Sequence, residues 1–253
     1  MDIKEVTDNL RTHPWEVARV KTLETILKKF TIRSAPWRVL DAGCGNAFVA
    51  TRLFHDFRIK IVEGVDIALT DEQIKAMTHR RRHVVVHNSF NNLLEKQYDL
   101  ILLLDVLEHL ENDSAFLNTT CRNYLAPGGY LLATVPAYQS LFSAHDVFLG
   151  HYRRYSPGRL FATLNSTGLQ CERRGQLFSS LLPVRALMLI YESVFQWHKS
   201  NPKGVGNWNR GDFITRCAET VLTIENRILL ALCTRNIQLP GLTVWALYRK
   251  RQS

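Results

Sequence analysis

Short apolar runs alternate with stretches of helical periodicity along most of this chain, and that alternation sets the expected architecture. Val17, Val20, Leu23, Leu27 and Phe30 recur at helical spacing and predict a helix over 13–30. Apolar runs predict buried strands at 38–41, 59–65, 83–87, 98–104 and 129–135, with helical patterns between them at 46–56, 70–78 and 113–125. Such alternation predicts a parallel sheet with helices on both faces. Leu125-Ala126-Pro127-Gly128-Gly129 reads as a helix stop and a turn before the fifth strand. Beyond residue 135 the pattern changes. Ser156-Pro157 reads as an N-cap with proline at the first helical position, opening a helix to about Asn165. Residues 168–175 and 242–249 read as sixth and seventh strands, with a helical segment between them.

That segment holds two helices. Leu177 to His198 is dense in apolar residues, and Arg185, Glu192, Gln196 and Lys199 form one narrow polar stripe. Ile214 to Arg235 is a second amphipathic helix, joined to the first by a polar, basic loop over 199–212. Pro183, Arg185 and Glu192 argue against a membrane span in the first helix. Two readings stay open: a pair of helices packed on the sheet, or a lid or interfacial helix over a hydrophobic ligand.

Candidate chemistry sits at the strand ends. Val39-Leu40-Asp41-Ala42-Gly43-Cys44-Gly45-Asn46 reads as a strand running into a glycine turn and a helix, and Gly64-Val65-Asp66 as a second strand ending in a carboxylate. Gly43 and Gly45 let the backbone turn tightly and approach a ligand closely. Asp66, about twenty residues after the turn, is placed to accept from two ribose hydroxyls, which predicts a nucleoside-cofactor site. Asn46-Ala47-Phe48 stands where the nicotinamide fingerprint has a third glycine. Asp41, Asp66, Asn88 and Asp105 all fall at or just beyond strand ends, where open parallel sheets bind ligands.

Composition changes this picture little. The 253 residues suit one large α/β domain with a helical insert, and the start of the sequence has no signal-peptide pattern. The five cysteines are scattered and show no metal-ligand spacing, so reduced thiols, a cytoplasmic protein and no metal site are expected. The net charge of +9 draws on Arg80-Arg81-Arg82, on Arg153, Arg154 and Arg159, and on Arg249-Lys250-Arg251. It favours contact with an anionic surface, either nucleic acid or the inner face of a membrane, unless these runs are simply solvated faces.

The string VLDAGCGNAFVA resembles motif I of the class I S-adenosylmethionine-dependent methyltransferases, and the rest of the chain extends the likeness over roughly 37–175 and 242–250. The resemblance implies a doubly wound, Rossmann-like seven-stranded sheet with helices on both faces and a helical insert before the last strand. Residues 1–36 would then cap the cofactor, 37–176 and 241–253 form the core, and 177–240 form an insert or lid. It implies S-adenosylmethionine as cofactor, with S-adenosylhomocysteine as product. Asp41, Gly43, Cys44 and Gly45 would hold its methionine part, Asp66 and Ile67 the ribose, and Asn88, Ser89 and Phe90 the adenine. Leu104, Asp105 and His109, in Leu103-Leu104-Asp105-Val106-Leu107-Glu108-His109, would line the reactive end. Thr12-His13-Pro14-Trp15-Glu16-Val17-Ala18-Arg19 resembles an entry helix, from which Arg19 could pair with the cofactor carboxylate and Trp15 could close over it. An ordinary first helix with Trp15 packed inward is the other reading.

Ser143-Ala144-His145-Asp146, with Gly150-His151-Tyr152-Arg153-Arg154-Tyr155-Ser156, resembles a block in bacterial methyltransferases of lipid, glycan and pigment pathways. If the acceptor is a hydroxyl, a base must take its proton, and histidine matches neutral pH. His145 and His151 are the candidates, with Asp146 as an orienter of either ring; a structural role in the loop is the alternative. Arg153 and Arg154 could recognise an anionic group or face solvent. The expected activity is O-methylation of an apolar or amphipathic small molecule, lipid-, quinone- or aryl-polyene-like. An RNA methyltransferase and a non-catalytic cofactor-binding partner are the alternatives. Expected partners are a hydrophobic acceptor, an anionic membrane surface, or a second copy meeting through the insert; no nucleic acid is expected.

Overall fold

The computed structural model describes residues 13–31, 37–56, 59–80, 84–95, 97–195, 208 and 210–252. Thr12, His83, Arg81, Arg82, Gln196, His198, Lys199 and most of the 199–212 loop lie outside them. The described chain runs α1 (Pro14–Phe30), β1 (Trp37–Ala42), α2 (Phe48–Asp56), β2 (Ile59–Val65), α3 (Asp71–Arg80), β3 (Val84–His87), β4 (Tyr98–Leu104), α4 (Asp113–Tyr124) and β5 (Leu125–Pro136). It continues through α5 (Ala144–Leu149), α6 (Pro157–Asn165), β6 (Gln170–Leu177), α7 (Leu181–Phe195), α8 (Gly211–Cys233) and β7 (Thr243–Arg249).

These strands form one seven-stranded sheet in the order β3-β2-β1-β4-β5-β7-β6, with β7 antiparallel to both neighbours. The chain reverses its direction of progress between β1 and β4, which is where such sheets open a ligand crevice. Register aligns the carboxyl ends there. Asp41 lies opposite Gly64 and Leu102, and Leu104 lies opposite Thr134. The residues just past these strands therefore gather over one edge of the sheet.

The two faces of the sheet carry separate apolar cores. One is closed by α1, α2 and α8, through Leu23, Leu27, Leu53, Leu222 and Leu230 against Val39, Leu102 and Trp245. The other is closed by α4 and α6, through Leu117, Cys121, Leu160 and Leu164 against Leu40, Ile101 and Leu131. Buried Asn226 of α8 ties the first core together: its Oδ1 accepts from the Phe178 backbone at 3.0 Å, and its amide donates to Thr22 Oγ1 of α1 at 3.0 Å.

Local chemistry sets several boundaries away from their expected places. β5 begins at Leu125, directly after α4, although 125–129 reads as a turn. Pro127 and Gly128 are accommodated because the pairing with β4 is irregular between Tyr98 and Leu100, so the ladder skips them. α2 starts at Phe48 because Asn46 Oδ1 accepts from the Phe48 backbone at 3.0 Å. Leu177 closes β6 and Phe178 is fully buried, so α7 begins only at Leu181. Along α7, Val184, Leu187, Met188, Ile190 and Tyr191 are exposed. No helix of the described residues is long and apolar enough to cross a membrane.

Candidate active site

The glycine turn hangs from the end of β2. The Gly43 and Cys44 backbones both donate to the Val65 carbonyl, at 2.7 and 3.2 Å. Gly43 sits at φ 79°, and a Cβ there would lie 2.4 Å from Val106 Cγ2. Only glycine fits, because the turn is pressed against the segment leaving β4. Asp66 closes the turn from the other side: its Oδ2 accepts from the Gly45 backbone at 2.9 Å, and its Oδ1 from the Ala68 backbone at 3.0 Å. Each carboxylate oxygen keeps a further lone pair for a ligand. Ile67 beside it is 81% exposed. Burial pushes the Asp41 carboxyl up to about 6, and also pushes the Cys44 thiol upward.

Past β3, the Asn88 amide donates to Asp71 Oδ1 at 3.0 Å, which leaves its carbonyl oxygen to accept. Ser89 Oγ caps the single turn Phe90–Asn92 by accepting from the Asn91 backbone. The Phe90 ring packs on Phe116 and Tyr124 of α4, with centroids 5.9 and 5.6 Å away. Phe90 is thus anchored to the second core, and it is only partly buried.

Arg19 is held first by groups of the protein itself. It is 1% exposed, and its Nη2 pairs with Asp105 Oδ2 at 2.8 Å and donates to Thr134 Oγ1 at 3.1 Å. Its Nη1 lies 3.5 Å from Glu16 Oε1, and Thr134 Oγ1 donates to Asp105 Oδ1 at 3.0 Å. The guanidinium thus already holds internal carboxylates, and it braces α1 against the ends of β4 and β5. Asp105 takes a left-handed φ of 56°, rare for a non-glycine residue, and this ion pair holds it there. Burial alone would raise the Asp105 carboxyl, but Arg19 keeps it below its ordinary value. Trp15 lies with its ring 5.2 Å from the guanidinium and 5.7 Å from Phe178. It packs inward, as an ordinary first helix would place it.

In the loop after β5, Asp146 meets one of the two candidate histidines. A short helix not expected from the sequence, α5, is opened by a capping box: Ser143 Oγ accepts at the helix start, and Asp146 Oδ2 accepts from the Ser143 backbone at 2.9 Å. Asp146 is fully buried, and its Oδ1 accepts from His151 Nδ1 at 2.9 Å and from Arg154 Nε at 2.7 Å. Burial opposes the charge, yet these bonds hold the Asp146 carboxyl well below its ordinary value. The oriented ring is therefore His151. His145 belongs to the first turn of α5, where its backbone donates to Ser143 Oγ. Arg154 is an internal counter-ion rather than a substrate arginine, and Arg153 pairs with Asp113 at 3.3 Å.

His151 also faces the turn after β4. Its ring meets that of His109 edge-on, with centroids 4.5 Å apart, and the Tyr152 backbone donates to the Glu108 carbonyl at 2.7 Å. Glu108 is fully buried, and neither carboxyl oxygen has a hydrogen-bond partner among the described residues. Burial, with Asp105 close by, pushes this carboxyl well above its ordinary value. Glu108 has no place in the expected cofactor set, although it stands within 103–109. Its signal was an acid next to His109 at a strand end.

The arrangement suits a cationic sulfonium nucleoside. Asp41 and Asp66 flank the turn with acidic groups, matching a positive ligand. Among the described residues, Nε and Nη1 of buried Arg19 make no hydrogen bond, and Nη1 has only the longer ion pair with Glu16, matching a ligand carboxylate.

A family model described as "Methyltransferase domain" matches residues 15–180, about two thirds of the chain. The chain is 24% identical over 152 residues to the ubiquinone biosynthesis O-methyltransferase of Rickettsia bellii (strain OSU 85-389), covering 53% of this chain and 62% of that protein. It is 28% identical over 156 residues to a probable S-adenosylmethionine-dependent methyltransferase of Mycolicibacterium smegmatis, covering 59% of this chain and 58% of that protein. The chain thus matches about three fifths of the length of these curated relatives. Among solved structures, the N-methyltransferase NodS of Bradyrhizobium japonicum, in complex with S-adenosylhomocysteine, superposes with a TM-score of 0.55 at 16% identity. That superposition covers 97% of this chain and 94% of NodS. With the family match spanning the glycine turn, Asp66, Asp105 and His151, this chain belongs to the class I S-adenosylmethionine-dependent methyltransferases.

Proposed function

We propose that this chain methylates a hydroxyl of an apolar or amphipathic small molecule, taking the methyl group from S-adenosylmethionine bound across the ends of β1, β2 and β4. The observation that carries this reading is the His151–Asp146 pair at 2.9 Å, held against the turn after β4. A hydroxyl needs help in losing its proton, and an imidazole fixed by a buried carboxylate provides it near neutral pH. Asp146 is the positioning residue; its bond to Nδ1 leaves Nε2 of His151 for the acceptor side.

The cofactor, when bound, supplies an electrophilic methyl group on a sulfonium sulfur. The remaining work belongs to the chain. Asp66 would accept from the ribose, Asn88 would present its carbonyl oxygen to the adenine amine, and the Gly43–Gly45 backbone would lie against the methionine part. Arg19 would orient the cofactor carboxylate through Nε and Nη1, which make no hydrogen bond among the described residues. The exposed apolar side chains of α7 support a hydrophobic acceptor, delivered from solution or from an anionic membrane surface that the basic balance would attract. The relatives named for ubiquinone O-methylation point the same way at low identity.

Calorimetric titration with S-adenosylmethionine and S-adenosylhomocysteine tests the cofactor step. Asp66→Ala should weaken both by at least about tenfold, since charge-assisted ribose bonds vanish. Heat with NAD but with neither sulfur nucleoside would overturn the reading. Labelled methyl appearing in phenolic acceptors, and not in amines, tests the chosen atom.

A further inference from the structure

The expectation of no metal site rested on cysteine and histidine spacing, which cannot detect ligands brought together by the fold. Glu108, His109 and His151 each offer one donor atom, and the three atoms lie within 4.8 Å of one another. Donors around a four-coordinate zinc sit about 3.3 Å apart, so modest side-chain adjustment closes the set. Three features mark this group as built for an ion. Glu108 is 0% exposed and, among the described residues, neither of its oxygens has a hydrogen-bond partner, a costly state for a buried carboxyl that a bound cation would relieve. His151 donates its Nδ1 proton to buried Asp146, the outer carboxylate bond that fixes a metal-binding tautomer and turns Nε2 toward the ion. The Tyr152 backbone bond to the Glu108 carbonyl clamps the two ligand-bearing segments together.

We propose that Glu108, His109 and His151 form a binding site for a divalent transition-metal ion, with zinc as the best match, that stays open toward the acceptor. Two imidazoles and one carboxylate suit zinc or cobalt far better than magnesium or calcium, which take oxygen ligands. Three protein ligands leave one or two positions free, as in catalytic rather than structural sites. Those positions fit an acceptor carrying a hydroxyl beside a second oxygen. With the ion bound, Nε2 of His151 serves as a ligand and no longer as the base: the ion lowers the hydroxyl's pKa and its proton leaves to water. The oxygen forms the new O–C bond, and the C–S electron pair stays on sulfur as the sulfonium becomes a thioether. Ion binding stands on these residues alone; its role in transfer rests on the proposed O-methylation.

The test uses the full chain stripped with a chelator and desalted. Zinc should bind calorimetrically at one equivalent with Kd below about 1 µM, and cobalt should give visible absorption of a low-coordinate site. Glu108→Gln, nearly isosteric, and His151→Ala should each weaken zinc binding at least about tenfold, and Asp146→Asn by about 10–100-fold. S-adenosylmethionine affinity of the same variants reports whether the fold is intact. Lack of zinc and cobalt binding by wild-type protein that still binds the cofactor overturns the metal site and leaves the methyltransferase reading standing. Zinc binding undiminished in both Glu108→Gln and His151→Ala overturns the ligand assignment. Zinc binding lost in those variants, with cofactor binding kept, supports it. Chelated protein that methylates 1,2-dihydroxybenzene as fast as zinc-loaded protein overturns the role in transfer.

Discussion

Replacing Asp146 by asparagine keeps the side chain's size and removes its charge, and the structure sets the consequence. The fully buried carboxylate accepts four hydrogen bonds: from His151 and Arg154 on Oδ1, and from the Ser143 backbone and hydroxyl on Oδ2. Asparagine offers one carbonyl oxygen, and its NH2 would confront donors on the other side. Arg154, only 7% exposed, would lose its close counter-ion, with Arg185 adding a second positive charge 3.9 Å from the same carboxylate. Breaking a buried pair from one side costs about 3–5 kcal/mol. For a domain of this size that is a fall in Tm of roughly 6–20 °C. Urea and thermal unfolding followed by circular dichroism measure it at pH 7. The double variant Asp146→Asn/Arg154→Met should recover part of the loss, because the stranded charge is gone. The carboxyl is held below its ordinary value in the folded state, so its contribution is present above about pH 4 and lost only as pH falls through the depressed value. A loss under about 1 kcal/mol, with no recovery in the double variant, would show that the pair is worth no more than a solvated one.

Gly43→Ala places a Cβ 2.4 Å from Val106 Cγ2 at φ 79°, costing about 1–2 kcal/mol in backbone conformation before any shift of Val106; cofactor affinity should fall at least about tenfold by calorimetry, and unchanged affinity would show that the turn does not touch the cofactor. Asp41 has its carboxyl raised from 3.8 to about 6, so the folded state binds this proton more tightly and stability falls as pH rises through that window, by about 3 kcal/mol. Asp41→Asn should flatten that part of the stability profile, and an identical profile would place the titration elsewhere. Asn226→Leu leaves the Phe178 backbone N–H without its partner in the core, so unfolding free energy should drop by about 2–3 kcal/mol; a neutral result would mean water replaces the amide.

The strands, the glycine turn and the acid at the tip of β2 are legible in the order of residues alone. Each of these is a local matter: continuous apolar runs must be buried, Gly43 must take a left-handed φ, and Asp66 must follow the second strand. The family likeness was equally local, carried by residues 39–46 and 103–109. What the sequence could not determine is which charged group meets which, because that depends on where separate strand ends converge. Arg19 reads as a ligand for the cofactor carboxylate, and nothing local shows that Asp105 and Thr134, from two other elements, hold it as well. His145 and His151 were equivalent as sequence; the capping box that opens α5 turned Asp146 toward His151. The Glu108, His109 and His151 group came from tertiary structure alone, since β4 and the loop after β5 are brought together by the pairing of their parent strands. Local pattern encodes where the backbone must be buried or bent, and the packing of distant segments decides the partners of each buried charge.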